Sequence, residues 1–328
     1  MATPRNASPR SAAQKRAGAT VTYNRNDPNH LLVDPRWLTK VFGLTILAAF
    51  VCAYLLMCIL FRLGSWQWVL HPTHSAATGT GLQDEAVHFG PDNTGTPQLT
   101  GEWIPASATT SATVLYLRPG DGQLDFADAP LVRMLRDDGL NVLAFDYRGY
   151  GRSALKPHPT EEHMQQDAEA AWTYLTGLRG IPADHILLYG AGVGSALAVN
   201  LAAAHPQAAG LVLRNATADV LGTIRSQKRA RMFPVSLLLK DRFDLQALQQ
   251  VKTPKLLWDI ASPANDPETV ARIAAYRSAA DPKMTVTLPK ANPVAEAASL
   301  RRFLDERIGL LQPKSLVPNT VSGVPAVR

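Results

Sequence analysis

One stretch of the chain differs from all the rest. From Val41 to Phe61 there are 21 consecutive residues without a single charge, and at about 1.5 Å per residue a helix of that length covers roughly the 30 Å of a bilayer core. Beyond it the pattern changes to short apolar runs bounded by turn residues: Glu85–Phe89, Leu99–Ile104, Thr113–Leu117, Asn141–Asp146, Ile186–Tyr189, Leu211–Leu213, Lys255–Asp259 and Met284–Leu288. Runs of this length and composition predict strands. Between the later ones the period becomes helical. The clearest case starts at Thr160, an N-cap residue, and runs to Arg179 with Met164, Ala168, Ala171, Trp172, Leu175 and Leu178 on one face. Ser195–Ala204 is almost wholly small and apolar, which predicts a helix buried against a sheet, and a third helix is expected around Val294–Ile308. Alternating strand and helix predicts an α/β domain, a mostly parallel sheet with helices on both faces, preceded by one transmembrane helix.

The same pattern divides the chain. Residues 1–36, rich in Ser, Ala, Pro and Arg without periodicity, read as a flexible cytoplasmic tail, 37–62 as a transmembrane anchor and 63–81 as a juxtamembrane linker. Residues 82–311 read as the folded domain, with a cap-like segment at about 219–250, and the Pro-containing 312–328 as a second flexible tail.

Charge sharpens the topology. The chain carries +6 overall, yet eight of its 33 Lys and Arg and only two of its 27 Asp and Glu precede residue 63, so 25 of each sign remain beyond it. A balanced domain has no field to attract a polyanion, and nucleic acid is not an expected partner. Seven basic residues precede Val41 and only Arg62 closely follows the apolar run, which by the positive-inside rule keeps the N-terminus in the cytoplasm and exports the domain. Trp66 and Trp68 fit an interfacial aromatic belt. A cleavable signal peptide fits less well, because its leading region would be about 40 residues long and no small-x-small site follows Phe61 closely. The expectation is a single-pass signal anchor through Val41 to Phe61 in an inner membrane, with the domain on the periplasmic or extracytoplasmic side. Cys52 and Cys58 both lie in the apolar run, which excludes a disulfide framework or a cysteine metal site in the domain. Nothing in the sequence calls for a metal or a cofactor.

At 186–198 an apolar strand passes through a glycine turn, Gly190-Ala191-Gly192-Val193-Gly194, into a helix beginning near Ser195. Asp146-Tyr147-Arg148-Gly149-Tyr150-Gly151-Arg152-Ser153 follows an earlier strand, Leu70-His71-Pro72-Thr73 follows the anchor, and Phe233-Pro234 through Leu239-Lys240-Asp241-Arg242-Phe243-Asp244 precedes a later strand. Together, in this order over roughly residues 66–308, these stretches resemble the membrane-anchored serine-peptidase-like and monoacylglycerol-lipase-like branch of the α/β-hydrolases. The resemblance implies the α/β-hydrolase fold, a Ser–acid–His triad in chain order with the serine on a strained strand-to-helix turn, and an oxyanion loop after an early strand.

Each chemical position departs from that pattern. The nucleophile position holds Gly192, the oxyanion loop reads Arg118-Pro119-Gly120-Asp121, where proline removes a backbone N–H, the acid position holds Pro263, and the final histidine region reads Ala291-Asn292-Pro293. All eight histidines lie at or before His205, so the last 123 residues contain no imidazole. The expectation is a catalytically degenerate hydrolase acting as a binding or scaffold protein, with a membrane-protein partner or a small apolar ligand in the old pocket, whose mouth would include Arg118, Gly120, Asp121 and Val193. The alternative is an active ester, amide or peptide hydrolase with unconventional residues: Ser195 as a substitute nucleophile, or carboxylates among Asp121, Asp259 and Asp266. A third reading takes Gly190–Ser195 as a nucleotide-binding turn, but the following strand ends in Leu213-Arg214-Asn215 without the acidic residue such a site needs. The Arg225-Ser226-Gln227-Lys228-Arg229-Ala230-Arg231 cluster reads either as a solvated face or as a contact for anionic lipid.

Overall fold

The computed structural model describes residues 35–74, 79–82, 85–107, 112–260 and 266–309; the two expected tails, apart from Pro35 and Arg36, lie outside them, as does Pro263. The first element is a 30-residue helix, α1 (Pro35–Gly64), in which only Cys58 and Phe61 are buried. Its apolar side chains face outward, with Phe42, Leu44 and Phe50 each about two-thirds exposed. A soluble core helix buries that surface, and this one does not. It is long and apolar enough to cross a membrane.

Eight strands form the main sheet: β1 (Glu85–Pro91), β2 (Pro97–Ile104), β3 (Thr113–Leu117), β4 (Asn141–Asp146), β5 (Ile186–Ala191), β6 (Gly210–Arg214), β7 (Lys255–Ile260) and β8 (Lys283–Leu288). They lie in the order β1-β2-β4-β3-β5-β6-β7-β8. β2 is antiparallel to β1 and β4, and all the other pairs are parallel. Every expected strand is present, most of them extended by one or two residues.

Residue parity along the strands feeds two apolar layers. Leu115, Leu117, Leu143, Phe145, Leu188, Leu211, Leu213 and Leu257 enter one, and Val114, Tyr116, Val142, Ala144, Leu187, Tyr189, Val212, Leu256 and Trp258 the other. The first layer packs against α3 (Glu161–Thr173) and α4 (Gly194–Ala204), the second against α2 (Ala129–Asp137) and α8 (Pro293–Phe303). Thr160 caps α3 by accepting from His163 N, and a π-helical turn at Tyr174–Leu178 extends it over nearly the whole expected span. α5 (Val220–Ser226), a 3₁₀ turn at Lys228–Met232 and α6 (Val235–Leu238) make up the cap-like segment, and α7 (Pro267–Ser278) joins β7 to β8.

The linker boundary needs correction. The compact domain unit begins at Met57. Ser65 and Leu70 are buried, a 3₁₀ turn spans Ser65–Trp68, and His71–Pro72 forms a short parallel bridge with Asp121–Gly122. Trp66 stacks on His158 at 5.4 Å and Trp68 meets Phe61 at 5.6 Å, so both tryptophans pack on the domain. The physical cause is the apolar side chain of Leu70, which enters the first core layer and carries its neighbours with it.

Candidate active site

The register sets Leu117, Gly190, Leu213 and Leu257 side by side, so the carboxyl ends of β3, β5, β6 and β7 open at one edge. This is where a doubly wound sheet places its ligands. Between β5 and α4 the chain turns with Gly192 at φ +54°, the left-handed conformation that costs a side-chain-bearing residue about 1–2 kcal/mol and glycine almost nothing. A Cβ on Gly194 would lie 2.3 Å from Leu117 O and 2.4 Å from Arg118 O, and one on Gly190 2.6 Å from Ser195 Cα. The outer glycines of the turn are therefore fixed by strand-to-helix packing. A Cβ on Gly192 would stand 3.1 Å from Pro119 Cβ and 3.9 Å from Thr217 Oγ1. Proline thus leans on the apex where a nucleophile would project.

The cavity at this apex holds about 170 Å³ and is lined by Trp68, Val69, Pro119, Gly120, Asp121, Gly192, Val193, Thr217, Val220, Thr223 and Ile224. Sites for drug-sized ligands run to roughly 300–1,000 Å³, so this one is small. Gly120 is wedged between Leu70 and Val193, with its missing Cβ 2.6 Å and 3.0 Å from them. Three of the four residues expected at the mouth, Gly120, Asp121 and Val193, do line the cavity.

Arg118 behaves differently. It is 3% exposed, its Nε donates to Asp128 at 3.0 Å, its Nη1 to Asp146 at 3.5 Å and its Nη2 to Gln123 O at 2.6 Å. Its charge is balanced inside the loop, and it lines, together with Asp121, a second cleft at this edge and not the elbow cavity. Beneath the same loop, the Tyr147 hydroxyl donates to Arg118 O and the Tyr150 hydroxyl to Gly120 O. Burial, reinforced by the Asp121 carboxylate, pushes the Tyr150 phenol up and keeps it a donor. Asp146 accepts from Leu124 N and Arg152 N, and burial raises its carboxyl above the ordinary range against the pull of Leu124 N–H and Arg118. The Asp146–Ser153 motif is the underside of the loop.

Other expected positions make structural contacts. Ser195 is fully buried, is not among the cavity's lining residues, and its Oγ has no hydrogen-bond partner among the described residues. Asn292 caps α8 by accepting from Val294 N and Ala295 N, with Pro293 in its first turn. Asp259 is 5% exposed and accepts from Arg272 Nε at 2.8 Å, while Asp266 caps α7 by accepting from Thr269 N. Neither lines a cavity with Asp121, so the three carboxylates do not converge on one site. Among the described residues no group of three or more His, Cys, Asp or Glu is placed to hold a metal.

Two pairs at this edge escaped the sequence reading. Arg214, at the end of β6, meets Glu296 of α8 through Nε at 2.8 Å and Nη2 at 3.2 Å. Both border the second cleft, of about 440 Å³, that also touches Ala191, Ala291 and Pro293. An arginine–glutamate pair thus lines the same cleft as Ala291 and Pro293. His71 Nδ1 lies 2.7 Å from Asp121 Oδ1, an exposed imidazole–carboxylate pair beside the cavity. Partners 82 and 50 residues apart leave no local signal in a sequence.

A family model described as serine aminopeptidase, S33, matches residues 124–306, more than half of the chain. The chain belongs to the serine aminopeptidase S33 family. An uncharacterized protein of Mycobacterium tuberculosis is 32% identical to this S33 chain over 198 residues, covering 58% of the chain and 66% of the relative. The chain therefore spans just under two-thirds of that relative's length. Human alpha/beta hydrolase domain-containing protein 17B is 41% identical over 69 residues, covering 21% of the chain and 23% of the relative. Among solved structures, a Pyrococcus furiosus esterase superposes with a TM-score of 0.58 at 17% identity, covering 74% of this chain and 99% of that one. A Vibrio vulnificus alpha-beta hydrolase superposes at 0.54 and 20% identity, covering 70% and 81%. At these identities the likeness establishes the α/β-hydrolase fold.

Proposed function

We propose that this S33-family protein is a membrane-anchored, exported pseudo-hydrolase that binds rather than cleaves. α1 is its single-pass anchor, with the N-terminus in the cytoplasm, and the domain holds a membrane-protein partner or a small apolar ligand. The observation that carries this reading is the apex of the elbow, where Gly192 supplies no nucleophile and Pro119 stands 3.1 Å from where its Cβ would be. In a well-studied triad enzyme, loss of the serine or the histidine alone costs about 10⁶ in turnover. The cavity's volume suits a group of a few heavy atoms, such as the end of an acyl chain.

The test is fluorophosphonate treatment of the full-length protein with intact-mass detection, beside turnover of a generic ester. No adduct and no turnover above the uncatalysed rate are expected. An adduct abolished by Ser195→Ala would overturn the proposal. A second reading has one observation in its favour, the His71–Asp121 pair beside a cavity that contains the Thr217 hydroxyl. An adduct that survives Ser195→Ala and disappears in Thr217→Val and in His71→Ala would establish it.

A further inference from the structure

The cap segment carries a charge pattern unlike that of the rest of the domain. From Val220 to Lys240 there are five basic residues and no acidic one. Arg225, Lys228, Arg229 and Arg231 are all exposed and form no ion pair among the described residues. Elsewhere Arg118, Arg148, Arg152, Arg179, Arg214, Arg272 and Arg301 each meet a carboxylate. Unpaired basic groups interleaved with large exposed apolar side chains, here Met232 at 60% and Leu237 at 76% exposure, make the surface of an interfacial segment.

Position decides what such a surface meets. Phe233, in the middle of it, stacks on Phe61 with ring centroids 4.6 Å apart and planes 19° apart. Phe61 is the last residue of the uncharged run and Arg62 the first charge after it, so Phe61 marks the depth at which hydrocarbon gives way to headgroups. Phe233 shares that depth. Farther along, Glu162 holds Lys240 protonated above its ordinary value against the opposing charge of Arg62, which lies close enough to be felt. The basic cluster and Leu237 are thus carried on a segment that is fastened at the membrane boundary.

We propose that residues 225–237 are a docking surface for anionic phospholipid headgroups, seating the cap on the bilayer that α1 crosses. The proposal rests on the reading of α1 as an anchor. Val220 and Ile224, which line the elbow cavity, belong to α5 at the start of this segment, so docking holds the cavity's cap side against the lipid surface. Each basic residue near an anionic surface adds an attraction that salt screens.

The experiment is hydrogen exchange of the full-length protein in nanodiscs of phosphatidylcholine alone and of phosphatidylcholine mixed with phosphatidylglycerol. Exchange across 225–240 should slow about tenfold in the anionic discs, and high salt should reverse the effect. The Lys228→Gln/Arg229→Gln/Arg231→Gln variant should lose this protection while α4, buried against the sheet, exchanges as before. Equal exchange in the two kinds of disc, or protection that survives in the variant, would overturn the docking surface alone. Failure of the chain to enter discs, or its release from membranes by alkaline carbonate, would overturn the anchor and the docking surface with it.

Discussion

The elbow and the loops that surround it lie at the same end of the same sheet, and they have kept different things. At the elbow the backbone is intact: Gly190 and Gly194 sit where a Cβ would strike neighbouring main chain, and Gly192 keeps its positive φ. The loops after β3 and β8 hold instead a buried arginine network at Arg118 and a helix cap at Asn292. The difference separates two demands that an active hydrolase fuses. Packing of a strand into a helix needs the glycines whether or not anything is hydrolysed, whereas nucleophile, acid and base serve only catalysis. A fold of this kind therefore announces its ancestry through its turns and reports its present use through its loops.

The hardest blow to the frame is Gly194→Ala. Its Cβ would fall within 2.4 Å of two backbone carbonyls, and backbone at the centre of a sheet cannot retreat. A loss of more than about 4 kcal/mol is expected, close to the whole stability of a marginal domain. Urea unfolding of the variant measures it. A loss below about 1 kcal/mol would show that the elbow packs more loosely than its geometry states.

Gly192→Ser probes the loops instead. The positive φ and the Pro119 contact predict a cost of about 1–3 kcal/mol by thermal unfolding. The restored hydroxyl should remain unlabelled by a fluorophosphonate, since Pro119 offers no N–H and the chain beyond His205 offers no imidazole. A labelled serine would break the comparison, because the loops would then retain catalytic competence that their side chains conceal.

The comparison also shows what a sequence can and cannot reveal. All eight strands were legible because each is a short aliphatic run, and α3 and α4 because one has a cap with a periodic face and the other is uniformly small. The glycine turn was legible because it follows a strand and opens a helix, and β5 and α4 bracket it as expected. The fold of residues 65–72 was not, since one 3₁₀ turn and a two-residue bridge have no period. The roles of Arg118 and Glu296 were hidden as well, because ion pairs between distant elements are created by the topology itself.

Glu296→Gln tests whether the Arg214–Glu296 pair is a structural replacement. Glu296 is 4% exposed, and removing its charge leaves Arg214 without a counterion at a cost of about 1–3 kcal/mol. The double variant Arg214→Met/Glu296→Met should recover most of that loss, because a partly buried pair exchanged for apolar groups is close to neutral. Urea titrations of the single and double variants close the cycle. Additive losses would mean that the two residues act separately, and their pairing would then not explain their place at this edge.

The smallest effect belongs to the opposite end of the sheet, where β7 begins. Lys255 is fully buried, and its Nζ donates to Ala280 O at 2.8 Å and Pro282 O at 3.4 Å. Burial pulls its pKa from 10.5 down to about 8. Between those values the unfolded chain holds a proton that the folded chain has released, so stability rises with pH through this window. Below about pH 8 that contribution is gone, because the folded protein must carry a buried ammonium. Lys255→Met should gain about 1 kcal/mol at pH 7, the lost carbonyl contacts offsetting part of the relief. The variant's advantage should shrink and then reverse as pH climbs from 8 to 10.5. Parallel urea titrations across that range decide it, and a gap independent of pH would mean that the two carbonyls solvate the ammonium well enough to keep its ordinary affinity for the proton. In that case the amino end of β7, like the glycines of the elbow, would be a place where backbone geometry alone sets the behaviour of the side chain.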